Sequence, residues 1–158
     1  MAVRIQQEPF DVAAELAALH GQDAAVGALA VFVGVARDMN EGRKVLQMTL
    51  EHYPGMTESA LEDIVVQARQ RWNIIDAVIV HRVGTIAPRD PIVLVAVSSM
   101  HRHDAFDACR FLIDYLKTDA PFWKKESTPQ GSHWVEARAS DEVACAIWQR
   151  SDPPESPR

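Results

Sequence analysis

A chain of 158 residues, 47% hydrophobic and 24% charged, can bury one substantial core and is short for two ordinary domains. Its formal net charge of -6 excludes general nucleic-acid binding, which needs a basic face to neutralise phosphates, so any anion site must be local. No apolar run reaches membrane-spanning length and the N-terminus lacks the hydrophobic segment of a secretory signal, which makes the cytoplasm the expected compartment. A single domain is expected over residues 1–150, with 151–158, rich in proline, as a disordered tail.

In chain order, Phe10 to Leu19 has a short helical pattern with Asp11 placed to cap it and Gly21 to close it. Gly27 to Val35 is a continuous apolar run rich in β-branched residues, which suits a strand covered on both faces. The polar loop from Ala36 to Arg43 leaves Arg37 at the strand's end, and Val45 to Tyr53 resumes a strand expected to form a hairpin with the preceding run. Pro54-Gly55 breaks that strand. Thr57 can then cap a helix with the apolar stripe Ala60, Leu61, Ile64, Val65, Ala68 and Trp72. Ala77 to Val83 and Ile92 to Val97 read as two more buried strands, and the second runs into Ser98-Ser99-Met100-His101-Arg102-His103-Asp104. Trp134 to Ala137 is a last strand, and Ser140 caps a helix to about Gln149. Helices and strands alternate without a regular parallel crossover series, so the fold class is α+β, with a mixed, mostly antiparallel sheet and flanking helices.

The stretch from Asp114 to Glu126 has the character of a site. Ala105, Phe106, Cys109, Leu112, Ile113 and Leu116 recur at helical spacing, and Pro121 forbids continuation, so Lys117 belongs to the last turn, where a cation suits the helix dipole. Phe122 and Trp123 carry the chain away in extended form and can return Lys124 to the neighbourhood of Lys117. Two ammonium groups held together call for an anion; the plainer alternative is a dipole-complementing Lys117 and a solvated Lys124-Lys125 face. Basic residues recur at element ends: Arg37, His101 with Arg102, Lys117 and Lys124. Arg offers a planar fork for phosphate and Lys a point charge. A metal site built from His101, His103, Asp104, His133, His52 and His81 lacks the usual ligand spacing, and His81 within an apolar strand reads more simply as a core histidine. Ser98 and Ser99 lack a nucleophile elbow. Cys109 and Cys145 occupy apolar helical positions and read as buried small hydrophobes. No Walker-type or dinucleotide fingerprint is present.

Several blocks in order resemble one family: Leu50-Glu51-His52-Tyr53-Pro54-Gly55-Met56, Val80-His81-Arg82-Val83-Gly84, Met100-His101-Arg102, Asp114-Tyr115-Leu116-Lys117-Thr118, and Ala120-Pro121-Phe122-Trp123-Lys124-Lys125-Glu126. The chain is similar to the large, catalytic subunit of molybdopterin synthase, a sulfurtransferase of molybdenum-cofactor biosynthesis. The likeness covers most of Ala28 to Trp148. It implies an α/β-hammerhead type of fold and a homodimer within a heterotetramer carrying two small ubiquitin-like subunits. The C-terminal Gly-Gly tail of each small subunit, ending in a thiocarboxylate, threads into a pocket of the large subunit. Sulfur is transferred twice, through a hemisulfurated intermediate, converting cyclic pyranopterin monophosphate into the dithiolene molybdopterin. The resemblance implies no metal and no cofactor. It places catalysis on Lys117 and Lys124 and substrate binding on Arg37, His101, Arg102, Lys117, Lys124, Lys125 and Glu126. One departure is Ala36, where a larger β-branched residue is expected before the Arg. Phe122 or Trp123 could wall the tail's channel, or both could fill the core. The alternative function is a noncatalytic protein that binds a phosphorylated ligand or scaffolds a ubiquitin-like partner; a metal-dependent hydrolase using His101 and His103 is a third.

Overall fold

The structure, a computed structural model, describes residues 2–21, 23–40, 42–135 and 139–150. The elements begin with β1 (Ala2–Gln6), α1 (Val12–His20), β2 (Ala28–Val35), β3 (Met39–Asn40), β4 (Arg43–Lys44), β5 (Gln47–His52) and α2 (Met56–Arg71). They continue with β6 (Ile74–Arg82), β7 (Gly84–Ile86), β8 (Pro91–Ser99), α3 (Arg102–Thr118), β9 (Phe122–Thr128), β10 (Gly131–Val135) and α4 (Ala139–Arg150). One four-stranded sheet has the order β1-β6-β8-β2, antiparallel except for the parallel β1–β6 edge; the other has the order β10-β9-β5-β7 and is antiparallel throughout. The α+β class with mostly antiparallel sheets and flanking helices is as the sequence implies.

The long apolar runs of β6 and β8 follow from cover on both faces. Side chains alternate across a strand, so Val93, Val95 and Val97 face α2 and α3 while Leu94 and Ala96 face α1. The larger core joins Leu61, Ile64, Val65 and Ala68 of α2 to Ala108, Phe111, Leu112 and Leu116 of α3. Phe111 is fully buried among Trp72, Tyr115 and Trp148, with ring centroids 5.3, 4.6 and 5.7 Å away. On the other face Leu19 of α1 is buried against Val78, Val80, Leu94 and Ala96. Asp11 caps α1, accepting from the Ala14 amide at 3.1 Å, and the Gly21 amide closes it on the Ala17 carbonyl at 3.0 Å, as the sequence predicts.

Four expectations change. β2 is an edge strand whose cover is incomplete on one face: Ala28, Ala30 and Phe32 pack on the larger core and Leu29 and Val33 on the α1 side, but Val31 and Val35 are 41% and 48% exposed. β5 does not form a hairpin with it; the short β3–β4 pair intervenes and β5 joins the second sheet between β9 and β7. Helix α2 starts from Gly55, and Thr57 is buried inside it, its hydroxyl accepting from the Tyr53 amide and donating to the Pro121 carbonyl, both at 3.0 Å. Helix α4 begins at Ala139, so Ser140 lies in its first turn instead of preceding it. The tail at 151–158 and the Glu136-Ala137 end of the last strand lie outside the described residues. Among the described residues no helix is long and apolar enough to cross a membrane.

Because Phe111 has aromatic partners on three sides and no room to collapse, Phe111→Ala is expected to cost about 3–5 kcal/mol of unfolding free energy, measured by the shift in urea midpoint.

Candidate functional site

Helix α3 ends where the sequence requires. The Asp119 amide closes on the Tyr115 carbonyl at 2.7 Å, and Pro121 has no amide with which to continue. The Phe122 amide then bonds the Ala120 carbonyl at 2.9 Å, reversing the chain into β9, and the Thr57 hydroxyl holds the reversal through Pro121. This brings Lys117 of α3 and Lys124 of β9 to one cavity of about 470 Å³, which also takes Arg37 and Phe122. The remaining wall includes Val33, Met48, Leu50 and Ile92, so apolar side chains stand beside the cations. The β2–β8 register slips between Gly34 and Val35, two residues before Arg37; a bulge there re-aims the strand end. At Gly34 a Cβ would stand 2.7 Å from the Val93 Cγ1, so any side chain there would require Val93 to shift.

Behind the cations stands a buried carboxylate. Glu126 is 3% exposed, and both its oxygens accept from the Asn40 Nδ2 at 3.0 Å, although 86 residues separate the two in sequence. The Lys124 ammonium lies 3.0 Å from one oxygen and the His133 Nε2 3.9 Å from the other. Asn40 in turn accepts from the Arg37 guanidinium at 3.4 Å. A carboxylate taken out of water needs such partners, and these set the direction in which Lys124 reaches. Among the described residues no carboxylate pairs with Lys117.

His81, on β6, lines the same cavity and stacks on Phe122 with centroids 3.9 Å apart and planes at 17°. Its Nδ1 is 2.7 Å from the Arg82 carbonyl. Burial, and then the nearby Lys117 and His52 charges, push its pKa down to about 4, so the ring is neutral.

Strand parity separates the remaining candidates. Phe122, Lys124 and Glu126 share the inner face of β9, whereas Trp123 and Lys125 point outward; Trp123 packs near Tyr53, and the Lys125 ammonium sits 5.7 Å over the Trp134 ring. Of the two aromatics, Phe122 walls the cavity, and Lys125 is directed away from it. His101 and Arg102 do not join the site within this chain. They line a separate cleft of about 370 Å³ at the far end of β8, beside Gly27 and Ala28. Since Ala28 pairs with Ser99 and Val35 with Pro91, that cleft and Arg37 lie at opposite ends of β2, roughly 24 Å apart. Among the described residues no three His, Cys, Asp or Glu side chains stand together as metal ligands. Burial pushes the Cys109 thiol up to about 11, which leaves it a packing residue.

A family profile described as MoaE protein matches residues 5–119. The chain belongs to the MoaE family. It is 57% identical over 146 residues to the molybdopterin synthase catalytic subunit of Ralstonia nicotianae, covering 92% of this chain and 83% of that one. A solved MoaE protein from Burkholderia ambifaria superposes with a TM-score of 0.81 at 54% identity, covering 96% of this chain and all of that one. A complex of subunits 1 and 2 of the molybdopterin-converting factor from Helicobacter pylori matches with a TM-score of 0.71 at 20% identity, covering 86% and 91%, a likeness of fold. Ala36 stands where a larger β-branched residue is expected. It is 2% exposed and packs with Met48, Leu50 and Ile86, while its backbone bonds Asp90 and Arg89, so the small side chain sits in a closed space. Sequence reasoning missed Asn40, which read as a turn residue, and took His81 as core only; a polar residue in an otherwise apolar strand was the available signal.

The neutral His81 makes stability depend on pH. An unfolded histidine titrates near 6.5 and the folded one at about 4, so below pH 6.5 the unfolded chain binds the extra proton. This contribution is flat above 6.5 and is lost as pH falls towards 4, by on the order of 3 kcal/mol. The difference in urea midpoint between pH 7 and pH 4.5 should therefore be smaller in His81→Gln than in the wild type.

Proposed function

We infer that the protein is the catalytic subunit of a molybdopterin synthase, a sulfurtransferase that accepts sulfur from a thiocarboxylated small subunit and places it on a pterin precursor. The observation that carries the reading in physical terms is the pairing pattern of the two lysines. Lys124 is tied to the buried Glu126 at 3.0 Å, a fixed cation, while Lys117 lines the same cavity with no carboxylate partner among the described residues. The first suits holding an anion and the second suits carrying a proton.

The precursor is cyclic pyranopterin monophosphate and the donor is a C-terminal Gly-Gly thiocarboxylate, both anionic. Arg37, Lys117 and Lys124 offset their mutual repulsion, and the apolar side chains around Phe122 lower the local dielectric, which strengthens each charge contact. Arg37, with a planar fork, takes the phosphate. Each thiocarboxylate sulfur attacks a side-chain carbon of the pterin as a carbon–oxygen bond breaks there, and water then cleaves the acyl C–S bond of the resulting thioester, leaving sulfur on the pterin and a carboxylate on the small subunit. Lys117 donates the proton that departing oxygen needs, and Lys124 holds the developing charge. Two transfers, through a hemisulfurated intermediate, give the dithiolene. The glycines of the tail allow close backbone approach along the Phe122 wall. The reaction is assigned to the cytoplasm.

The working unit is a homodimer bearing two small subunits. His101 and Arg102 lie roughly 24 Å from Arg37 along the same β2, so a shared substrate requires them from a second copy of the chain. The β2 edge, with Val31 and Val35 open, offers an apolar surface for that copy.

Lys117→Ala is expected to abolish dithiolene formation while leaving the urea midpoint nearly unchanged, because a helix-end cation contributes only about 0.3–1 kcal/mol to folding. Arg37→Ala should weaken precursor binding by about 1.5–3 kcal/mol in a calorimetric titration, and Lys125→Ala, facing Trp134, should do neither. Full activity in folded Lys117→Ala sinks the assignment. Split sites predict complementation: Lys117→Ala mixed and re-annealed with a His101→Ala, Arg102→Ala double variant should recover activity that neither has alone. No recovery from verified mixed dimers would return His101 and Arg102 to another role.

A further inference from the structure

His81 is a pocket group that the sulfur transfer described above does not use. It is 5% exposed, yet it lines the cavity shared by Arg37, Lys117 and Lys124. Its Nδ1 stands 2.7 Å from the Arg82 carbonyl, and a carbonyl can only accept, so Nδ1 carries the ring proton and the neutral imidazole keeps its lone pair on Nε2. The stack on Phe122 at 3.9 Å fixes the ring plane, and among the described residues the Arg82 bond is the ring's only hydrogen bond. The charged groups that line this cavity are all donors. The adjacent Glu126 carboxylate is occupied by Asn40 and Lys124. A ligand that presents ring N–H groups as well as an anion needs an acceptor here, and His81 is a neutral one that neither attracts nor repels the phosphate.

We propose that His81 is a substrate-binding residue whose Nε2 accepts a hydrogen bond from a ring N–H of the pterin precursor, orienting the heterocycle while the cations hold its phosphate. This rests on the sulfurtransferase reading. A protonated ring could not serve, and burial beside Lys117 keeps the proton off.

Wild-type protein labelled with 15N-histidine is titrated with the cyclic pterin precursor and, separately, with inorganic phosphate. The His81 Nε2 resonance is expected to move with the precursor and to stay with phosphate alone. In parallel, His81→Phe, which keeps a ring against Phe122, should raise the KM for the precursor about tenfold, the size of one lost hydrogen bond, with the KM for the thiocarboxylated partner unchanged. His81→Gln, which restores an acceptor, should recover most of the loss. An Nε2 signal that ignores the precursor, or a KM that rises equally for both ligands, overturns the proposal, and the wild-type titration decides it even where the Phe variant does not fold. An active wild type with a silent Nε2 defeats this inference alone. A wild type that forms no dithiolene defeats the sulfurtransferase reading and this one with it.

Discussion

A carboxylate sealed from water has to be answered, and the answer given to Glu126 organises the site. The cost of leaving an isolated carboxylate in a low-dielectric interior runs to several kcal/mol, so the chain supplies Asn40 from the loop after β2, Lys124 from two residues earlier on β9, and His133 from the strand beside it. The loop carrying Arg37 is thereby fastened to the strand carrying Lys124. Glu126 adds, to the backbone pairing of β5 with β9, a side-chain link between the two cations. The same arrangement leaves Lys117 without a carboxylate partner among the described residues, so two lysines seven residues apart arrive in one cavity in different electrostatic circumstances.

The apolar part of the cavity comes from the packing of two sheets that share few strands' worth of cover. Val33 and Val93 belong to the first sheet, Met48, Leu50 and Phe122 to the second, and the bulge at Gly34 lets the backbone pass where a side chain would meet Val93. A vault bounded by two rigid sheets holds its shape before a ligand arrives, so little ordering entropy is spent on binding.

Much of this was legible in the sequence, for identifiable reasons. Helices α1, α2 and α3 announce themselves through 3.6-residue periodicity, and Pro121 marks where the third must end. The convergence of Lys117 and Lys124 follows from that break together with the extended Phe122-Trp123 that follows. What stayed hidden was set by distant partners. Asn40 has the residue type of a turn former, and only its contact with Glu126 reveals it as a buried hydrogen-bond donor. Thr57 has the residue type of a helix cap, and its bond to the Pro121 carbonyl makes it a tertiary clasp. Lys124 and Lys125 are alike in sequence, and only the pleat of β9 separates an inward from an outward lysine. The apolar run of β2 read as fully covered on both faces because composition reports hydrophobicity, not how much of each face is reached by a packed element, and Val31 and Val35 stay open. His101 and Arg102 share the basic character of the pocket residues, and the antiparallel register of β2 and β8 is what carries them to the opposite end.

The parallel pairing of β1 with β6 sets an order of events during synthesis. Ala2 meets Val78 and Gln6 meets Arg82, so β1 waits for more than seventy further residues of chain before its partner exists. Its alternation of Arg4 and Gln6 with Val3 and Ile5 keeps the waiting segment partly polar, a poor template for premature strand pairing. Once β6 emerges, the Val83 amide and the Arg82 guanidinium close on the carbonyls of Gln6 and Gln7 and lock the sheet's edge. The β1–β6 pairing is a long-range closure, slower to form than a local hairpin, and the sheet is complete only once β8 joins β6 to β2. In the finished molecule β1 is the fastening of the strand that positions His81, with Ile5 opposite that histidine.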